Sequence, residues 1–344
     1  MYANRLLLVD PALIQKEFNR GYGRIQKFAG MDIRSLSAWV GFMSTAFVTA
    51  AAVQIKTGFV LGYNRATPPE ENTMLFRRYT YYGSSIVTLL AGMRRPLQVV
   101  GIFLRAKVPP DTRIELRQTG LKFKVRGKMD VWSLKETLLD RFYERFGFAV
   151  QDGWTVVDIG GGIGDYTIFA AYDRPNARVL AFEPFPESFR LLQENLDLNQ
   201  IDNVEIFSQA VSSHKGTLQF GSPSSDPLSM QTARGLRSPT GDALQVPAVS
   251  LGSILNSPAV KRIDLLKLDC EGAEYDILLN STPDVLEKID HIVMEYHDGL
   301  TPFSHDDLVK YLTEHGYKVE WWKNFAHDHI GYLRAQRIRG GQPD

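Results

Sequence analysis

The segment TVVDIGGGIGDYT, Thr155 to Thr167, constrains this chain more than any other stretch. Its apolar run Thr155 to Ile159 is short enough for a buried strand and stops in glycines at alternate positions, Gly160, Gly162 and Gly164. A helix-like run, Tyr166 to Tyr172, follows, and Arg178 to Phe182 reads as a second buried strand. Strand, glycine turn, helix and strand make a βαβ unit, which commits the chain to a parallel sheet covered by helices. In open sheets of that kind a ligand binds at the carboxyl ends of the strands, where Asp158 and the glycines lie.

The rhythm continues downstream. Glu187 to Leu198 carries Phe189, Leu192 and Leu196 on one helical face, and Val204 to Phe207, Ile263 to Leu268 and His291 to Glu295 read as further buried strands. Tyr317 to Trp322 and Ile330 to Ile338 predict an antiparallel pair. Upstream, Arg113 to Arg126 alternates around Gly120 as a two-stranded lead-in does, and Trp132 to Phe146 reads as one helix. The expected fold is α/β: a doubly wound, seven-stranded, mostly parallel sheet with an antiparallel C-terminal hairpin, preceded by a mainly helical N-terminal segment. Hydrophobic residues at 44% and charged residues at 23% fit a globular chain and exclude disordered, collagen-like and polytopic membrane classes. The single cysteine, Cys270, excludes an intramolecular disulfide framework and a Cys-rich zinc site, so a cytoplasmic, reducing compartment is the expectation.

Pro109-Pro110 marks a boundary between residues 1–110 and a ligand-binding domain, 111–344. The first region holds 14 Lys/Arg against 5 Asp/Glu although the whole chain is neutral. Such a basic arm either packs on the acidic remainder or contacts an anionic membrane surface peripherally. Leu36 to Ile55 is uncharged over 20 residues, yet its Ala, Ser and Thr content favours a buried helix or interfacial hairpin over a membrane span. No secretory signal is read at the start, where Asp10 and Pro11 interrupt the apolar run.

The spacing D-x-G-x-G-x-G differs from the dinucleotide fingerprint, whose last glycine would have to stand at Asp165 or Thr167, so a nicotinamide cofactor is disfavoured. A sulfonium cofactor lacks phosphates and calls for hydrogen bonds to an amino-acid moiety and a ribose. Asp158, Gly160, Gly162, Gly164 and Asp165 are the candidate cofactor loop. Glu183 ends the next strand about 20 residues on, where its carboxylate can accept two ribose hydroxyls. Gln209 and Ala210, past the following strand, are candidates for the adenine edge.

Asp269, Glu271 and Glu274 follow an apolar strand in LLKLDCEGAEYDIL. A hydroxyl acceptor is a poor nucleophile and calls for a base, for which Asp269 is the first candidate, with Glu271 and His297 beside it. The same carboxylates are a candidate site for a divalent ion such as Mg²⁺, although no fixed ligand spacing assigns metal residues. Glu274 also reads simply as a helix-start charge, and Cys270 as a core residue. Gly221 to Pro247 reads as a lid or acceptor wall, and the His327/His329 pair as part of a hairpin loop.

VVDIGGGIGDYT, AFEPFPESFRLLQENLDLN, AVSSHKGTLQF, LLKLDCEGAEYDIL, IVMEYH and GYLRAQR, in that order over roughly Arg113 to Arg339, resemble the FkbM-type methyltransferases. The resemblance implies a class I methyltransferase fold, S-adenosyl-L-methionine as donor, and an acceptor oxygen, often on a natural product or glycan; a small-molecule, glycan or lipid-linked acceptor is the expectation. It carries the cofactor role onto Asp158, Gly160, Gly162, Gly164 and Glu183, and sets Asp269, Glu271 and Glu274 beside the reaction centre without choosing among them. Gly161-Gly162 stands where that family more often has Ala-Asn. A nucleic-acid partner is not expected, since no N/D-P-P-Y/F-type motif follows a strand and the second half of the chain is acidic. A noncatalytic cofactor-binding scaffold acting through the N-terminal arm is the competing reading.

Overall fold

The computed structural model describes residues 69–105, 107–220, 244–257, 260–324 and 326–339, with side chains described from Tyr81 onward. The apolar stretch at 36–55 and residues 221–243 of the expected lid lie outside the described residues. Two compact units divide the chain, Met1–Phe76 and Arg77–Asp344. Among the described residues no helix is long and apolar enough to cross a membrane.

Helices α1 (Pro69–Gly92) and α2 (Pro96–Leu104) lead into the hairpin β1 (Arg113–Glu115) and β2 (Lys122–Lys124), with Ile114 paired to Phe123. The expected helix 132–146 is instead broken. Helix α3 (Lys128–Leu134) widens into a π turn over Lys135–Leu139, and Arg141, left-handed at φ 53°, separates it from α4 (Phe142–Arg145). A π turn shifts the side chains that follow it around the helix axis. Here Lys135 becomes buried and ion-pairs with Asp140 at 2.5 Å.

The main sheet contains β3 (Thr155–Ile159), β4 (Arg178–Phe182), β5 (Val204–Phe207), β9 (Ile263–Leu268), β10 (Ile289–His297), β11 (Tyr317–Lys323) and β12 (Ile330–Arg337). Their order is β11-β12-β10-β9-β3-β4-β5, with β12 antiparallel to both neighbours and the other pairs parallel. This is the expected doubly wound, seven-stranded, mostly parallel sheet with an antiparallel C-terminal hairpin. Helices α5 (Asp165–Ala171) and α6 (Pro186–Asn199) follow β3 and β4. The chain runs outward from β3 through β4 to β5 and then returns to β9 on the other side, so the strand order reverses between β3 and β9.

A second, three-stranded sheet was not expected: β6 (Ala210–Val211), β8 (Leu244–Val249) and β7 (Gly216–Phe220), in that spatial order. Leu244 to Pro247, assigned from sequence to a long loop, is the start of β8, and Phe220 pairs with Leu244. Phe220, Val246, Ala248 and Ala210 form that sheet's own small core. The largest core joins β3, β4, β9, β10 and α7 (His305–Glu314) through residues such as Leu266, Leu268, Ile292 and Leu308, all 0% exposed. Burying such aliphatic side chains stabilises by about 1.5–3 kcal/mol each relative to exposure.

Candidate active site

A cavity of about 510 Å³ opens at the carboxyl ends of β3, β4, β9 and β10, at the point where the strand order reverses. Its first half is built by the glycine loop. A Cβ on Gly160 would lie 1.9 Å from the Asp269 carbonyl, and one on Gly164 2.6 Å from the Leu192 side chain. Both glycines therefore let backbone and side chains close up around the loop. Gly162 differs: its φ is +53°, and a Cβ there would meet only the Asp165 side chain, at 3.9 Å. That left-handed conformation is one asparagine also tolerates. Gly161 has an ordinary φ and room for a Cβ at 3.4 Å from Leu192, so Ala-Asn suits these two positions sterically.

Glu183 lies just past β4, 3% exposed, and lines the cavity. Its two oxygens accept the Gly162 N–H at 2.8 Å and the Phe185 N–H at 2.9 Å. Burial pushes its carboxyl up to about 7 against the pull of those two N–H groups and of Arg126. Beyond it the wall is apolar: Phe185 and Phe220 pack edge to face at 4.9 Å, with Ala210 and Leu218 alongside. Gln209 does not line this cavity.

Asp158 is also absent from the lining, being 0% exposed. One oxygen accepts the Thr167 hydroxyl at 2.6 Å, and the other ion-pairs with Lys267 at 3.0 Å, its direct cross-strand partner on β9. Lys267 also donates to the Gly160 carbonyl at 3.1 Å, tying the ion pair to the loop. Burial pushes the Asp158 carboxyl up while Lys267 and Thr167 pull it down; Asp158 and Asp269 keep Lys267 charged against its own burial. The pair fixes the loop's base from below. Asp165 does line the cavity and accepts the hydroxyls of Ser133 and Thr137 at 2.7 and 2.6 Å.

The second half is crowded with acids. Asp269 follows β9 and accepts the Tyr143 hydroxyl at 2.8 Å. Glu271 stands at φ 52°, in the sparsely populated left-handed region, within the turn Cys270–Ala273. Glu274 is 0% exposed and accepts the N–H groups of Cys270 and Gly272, both at 2.8 Å, so it closes that turn. It also meets His297 Nδ1 at 3.2 Å, while Glu271 lies 3.6 Å from Nε2. Burial disfavours the imidazolium, yet Glu274, Glu271 and Glu295 together hold His297 well above its usual value. Burial and the neighbouring charges of Asp269 and Glu274 push the Glu271 carboxyl up, although His297 draws it down. Burial likewise drives the Cys270 thiol well up, which suits an inert wall residue.

Two acids in this half were not singled out from the sequence. Glu295, on β10, lines the cavity with its carboxyl pushed well up by burial and by Asp269. Glu136, in the π turn, accepts the Tyr81 hydroxyl and is pushed up mainly by burial. Among the described residues, ligand atoms of Asp269, Glu295 and His297 lie within 4.8 Å of one another. That trio differs from the Asp269, Glu271 and Glu274 set considered as metal ligands, since Glu274 is occupied by backbone and by His297. His327 lines the cavity; its ring lies 5.8 Å from that of His329 in the β11–β12 loop.

Residues 158–319 match the family model described as "Methyltransferase FkbM domain". The chain is similar to the AMB antimetabolite synthetase AmbE of Pseudomonas aeruginosa, 29% identical over 54% of this chain and 10% of that protein. It is also similar to the 31-O-demethyl-FK506 methyltransferase FkbM of Streptomyces tacrolimicus, 25% identical over 60% of this chain and 89% of the relative. The hexuronic acid methyltransferase AglP of Haloferax volcanii is 24% identical over 56% of this chain and 76% of its own length.

Proposed function

We propose, from the match of residues 158–319 to the methyltransferase FkbM domain, that the chain transfers a methyl group from S-adenosyl-L-methionine to a hydroxyl of a glycan, glycolipid or natural product. The observation that carries the reading is Glu183, a buried carboxylate at a strand end that binds the glycine loop's Gly162 N–H and borders an apolar wall. A carboxylate accepts two hydroxyl donors, as a ribose requires, and the slot of Phe185, Ala210 and Phe220 suits a flat base. Gly160, Gly162, Gly164 and Asp165 form the adjoining loop; Asp158 supports it through Lys267 rather than by contact.

Bound in that half, the donor supplies an electrophilic methyl group on a positively charged sulfur. Asp269 would take the acceptor hydroxyl proton as the new C–O bond forms and the methyl–sulfur bond breaks, the sulfur leaving as a neutral thioether, while the Tyr143 hydroxyl holds Asp269 in place. His297, kept protonated between Glu274 and Glu271, orients the turn and is a poor base. Two relatives fit an oxygen-bearing acceptor: one is named for 31-O-demethyl-FK506 and the other for hexuronic acid. A second reading has a divalent ion on Asp269, Glu295 and His297, favoured by their mutual distance. Incubation of the protein with labelled donor and fractionated glycan, lipid and small-molecule extracts tests the first reading. Label is expected in a hydroxyl-bearing product; label in protein or nucleic acid alone would sink it. Undiminished turnover in excess chelator would remove the metal reading.

A further inference from the structure

Helices α1 and α2 present an unusual outer surface. Their inner faces pack into the body through Leu89, Met93, Val99 and Ile102, each under 5% exposed. An amphipathic helix would then carry polar residues outside, yet α2 reads PLQVVGIFL, with no charge at all. Leu97 and Leu104, seven residues and two turns apart, are 50% and 55% exposed, and Ile86 and Val87 on α1 are 55% and 49% exposed. Of the ten large hydrophobic residues exposed among the described ones, seven fall between Tyr82 and Met129. Three of those seven, Tyr82, Phe103 and Met129, also line the active-site cavity, so the apolar face runs into its mouth.

Charge accompanies this face. Residues 82–128 contain ten Lys/Arg and two Asp/Glu. Arg95, Arg105 and Lys107, next to the two helices, are exposed. Exposed aliphatic side chains ringed by Lys and Arg are what an interfacial, anionic-lipid-binding surface requires: the apolar groups enter the acyl boundary and the cations meet headgroup phosphates. A nucleic acid offers phosphates to the cations but no acyl layer, and would leave Ile86, Val87, Leu97 and Leu104 in water.

We infer that the outer face of α1 and α2 docks on an anionic lipid bilayer, setting the cavity mouth at the membrane surface. This inference is independent of which acceptor is methylated. The test is sedimentation of the full chain with phosphatidylcholine vesicles, with and without about one-third phosphatidylglycerol. Two variants are compared with the wild-type chain: Ile86→Asp/Leu97→Asp/Leu104→Asp, and Arg95→Glu/Arg105→Glu/Lys107→Glu. Wild type should partition onto the anionic vesicles and scarcely onto neutral ones, with both variants weakened at least about tenfold. Circular dichroism and unchanged donor binding confirm that the variants are folded. Equal vesicle binding by wild type and both folded variants would overturn the inference, placing the contact elsewhere in the chain. It is overturned equally if wild type ignores anionic vesicles, whether it self-associates through this face or binds RNA instead.

Discussion

The two halves of the cavity treat carboxylates in opposite ways. In the donor half Glu183 accepts two backbone N–H groups and Asp158 faces Lys267 across adjacent strands, so each buried acid has a donor supplied by the sheet or its loop. In the acceptor half Asp269, Glu271, Glu295 and Glu136 line one wall, and His297 is the imidazole held among them. A preformed donor site needs only rigidity, which strand ends provide. In the acceptor half burial and neighbouring acids push Glu271, Glu295 and Glu136 up, and Asp269 is the acid among them that the Tyr143 hydroxyl holds in place.

The sharpest way to break this contrast is Asp269→Asn. Methyl transfer should fall by about 10²–10⁴-fold, measured as single-turnover rate, with donor affinity unchanged. An equal loss in both quantities would mean that the halves are not separable. Next in size is His297→Gln, which leaves Glu274 buried without its cationic neighbour and should lower stability by about 3 kcal/mol at neutral pH. Because His297 is raised above its unfolded value, its contribution is complete below about pH 6.5 and is lost as pH climbs through the higher folded value. Denaturant titrations of wild type should therefore show an alkaline decline that the variant lacks.

Glu183→Gln acts on the other half. Hydrogen bonds to an ionised group contribute about 1.5–3 kcal/mol, so donor affinity should drop roughly 10- to 100-fold. With the folded carboxyl near 7, wild-type affinity should rise between pH 6 and 8 as Glu183 ionises, and the variant should be flat. The same shift has a stability consequence of the opposite sign. The fold binds the proton more tightly than the unfolded chain, so the stability it provides is whole below about pH 4.5 and fades through 7, by about 3 kcal/mol in all. The smallest expected effect is a gain: Gly161→Ala with Gly162→Asn should stabilise by about 0.5–1 kcal/mol by restricting the unfolded chain, visible as a higher midpoint of thermal unfolding.

The contrast also explains what the sequence reveals. The glycine loop and Glu183 of the donor half come from one contiguous βαβ unit, so their spacing is visible in DIGGGIGD and FEPF, and the strands that carry them fall at 155–159 and 178–182 as expected. The acceptor half is assembled from distant places. Glu136 reaches it through a π turn and Tyr143 from α4, 126 residues from the carboxylate it touches, and neither leaves a periodic mark. The three-stranded sheet escapes because β7 and β8 are separated by residues 221–243. Lys267 did carry a legible signal: one cation inside a run buried on both faces, IDLLKL, demands an anion on the adjoining strand. The surroundings of His297 are the least legible, because the two carboxylates that flank its ring come together only when the turn at Cys270–Ala273 folds under it.

Calorimetric titration of S-adenosyl-L-methionine into wild type, Glu183→Gln and Asp269→Asn tests the division of the cavity most directly. Wild type and Asp269→Asn should bind one donor per chain with equal affinity, and Glu183→Gln should bind at least about tenfold more weakly. No binding by wild type, or an Asp269→Asn loss as large as that of Glu183→Gln, would contradict the account.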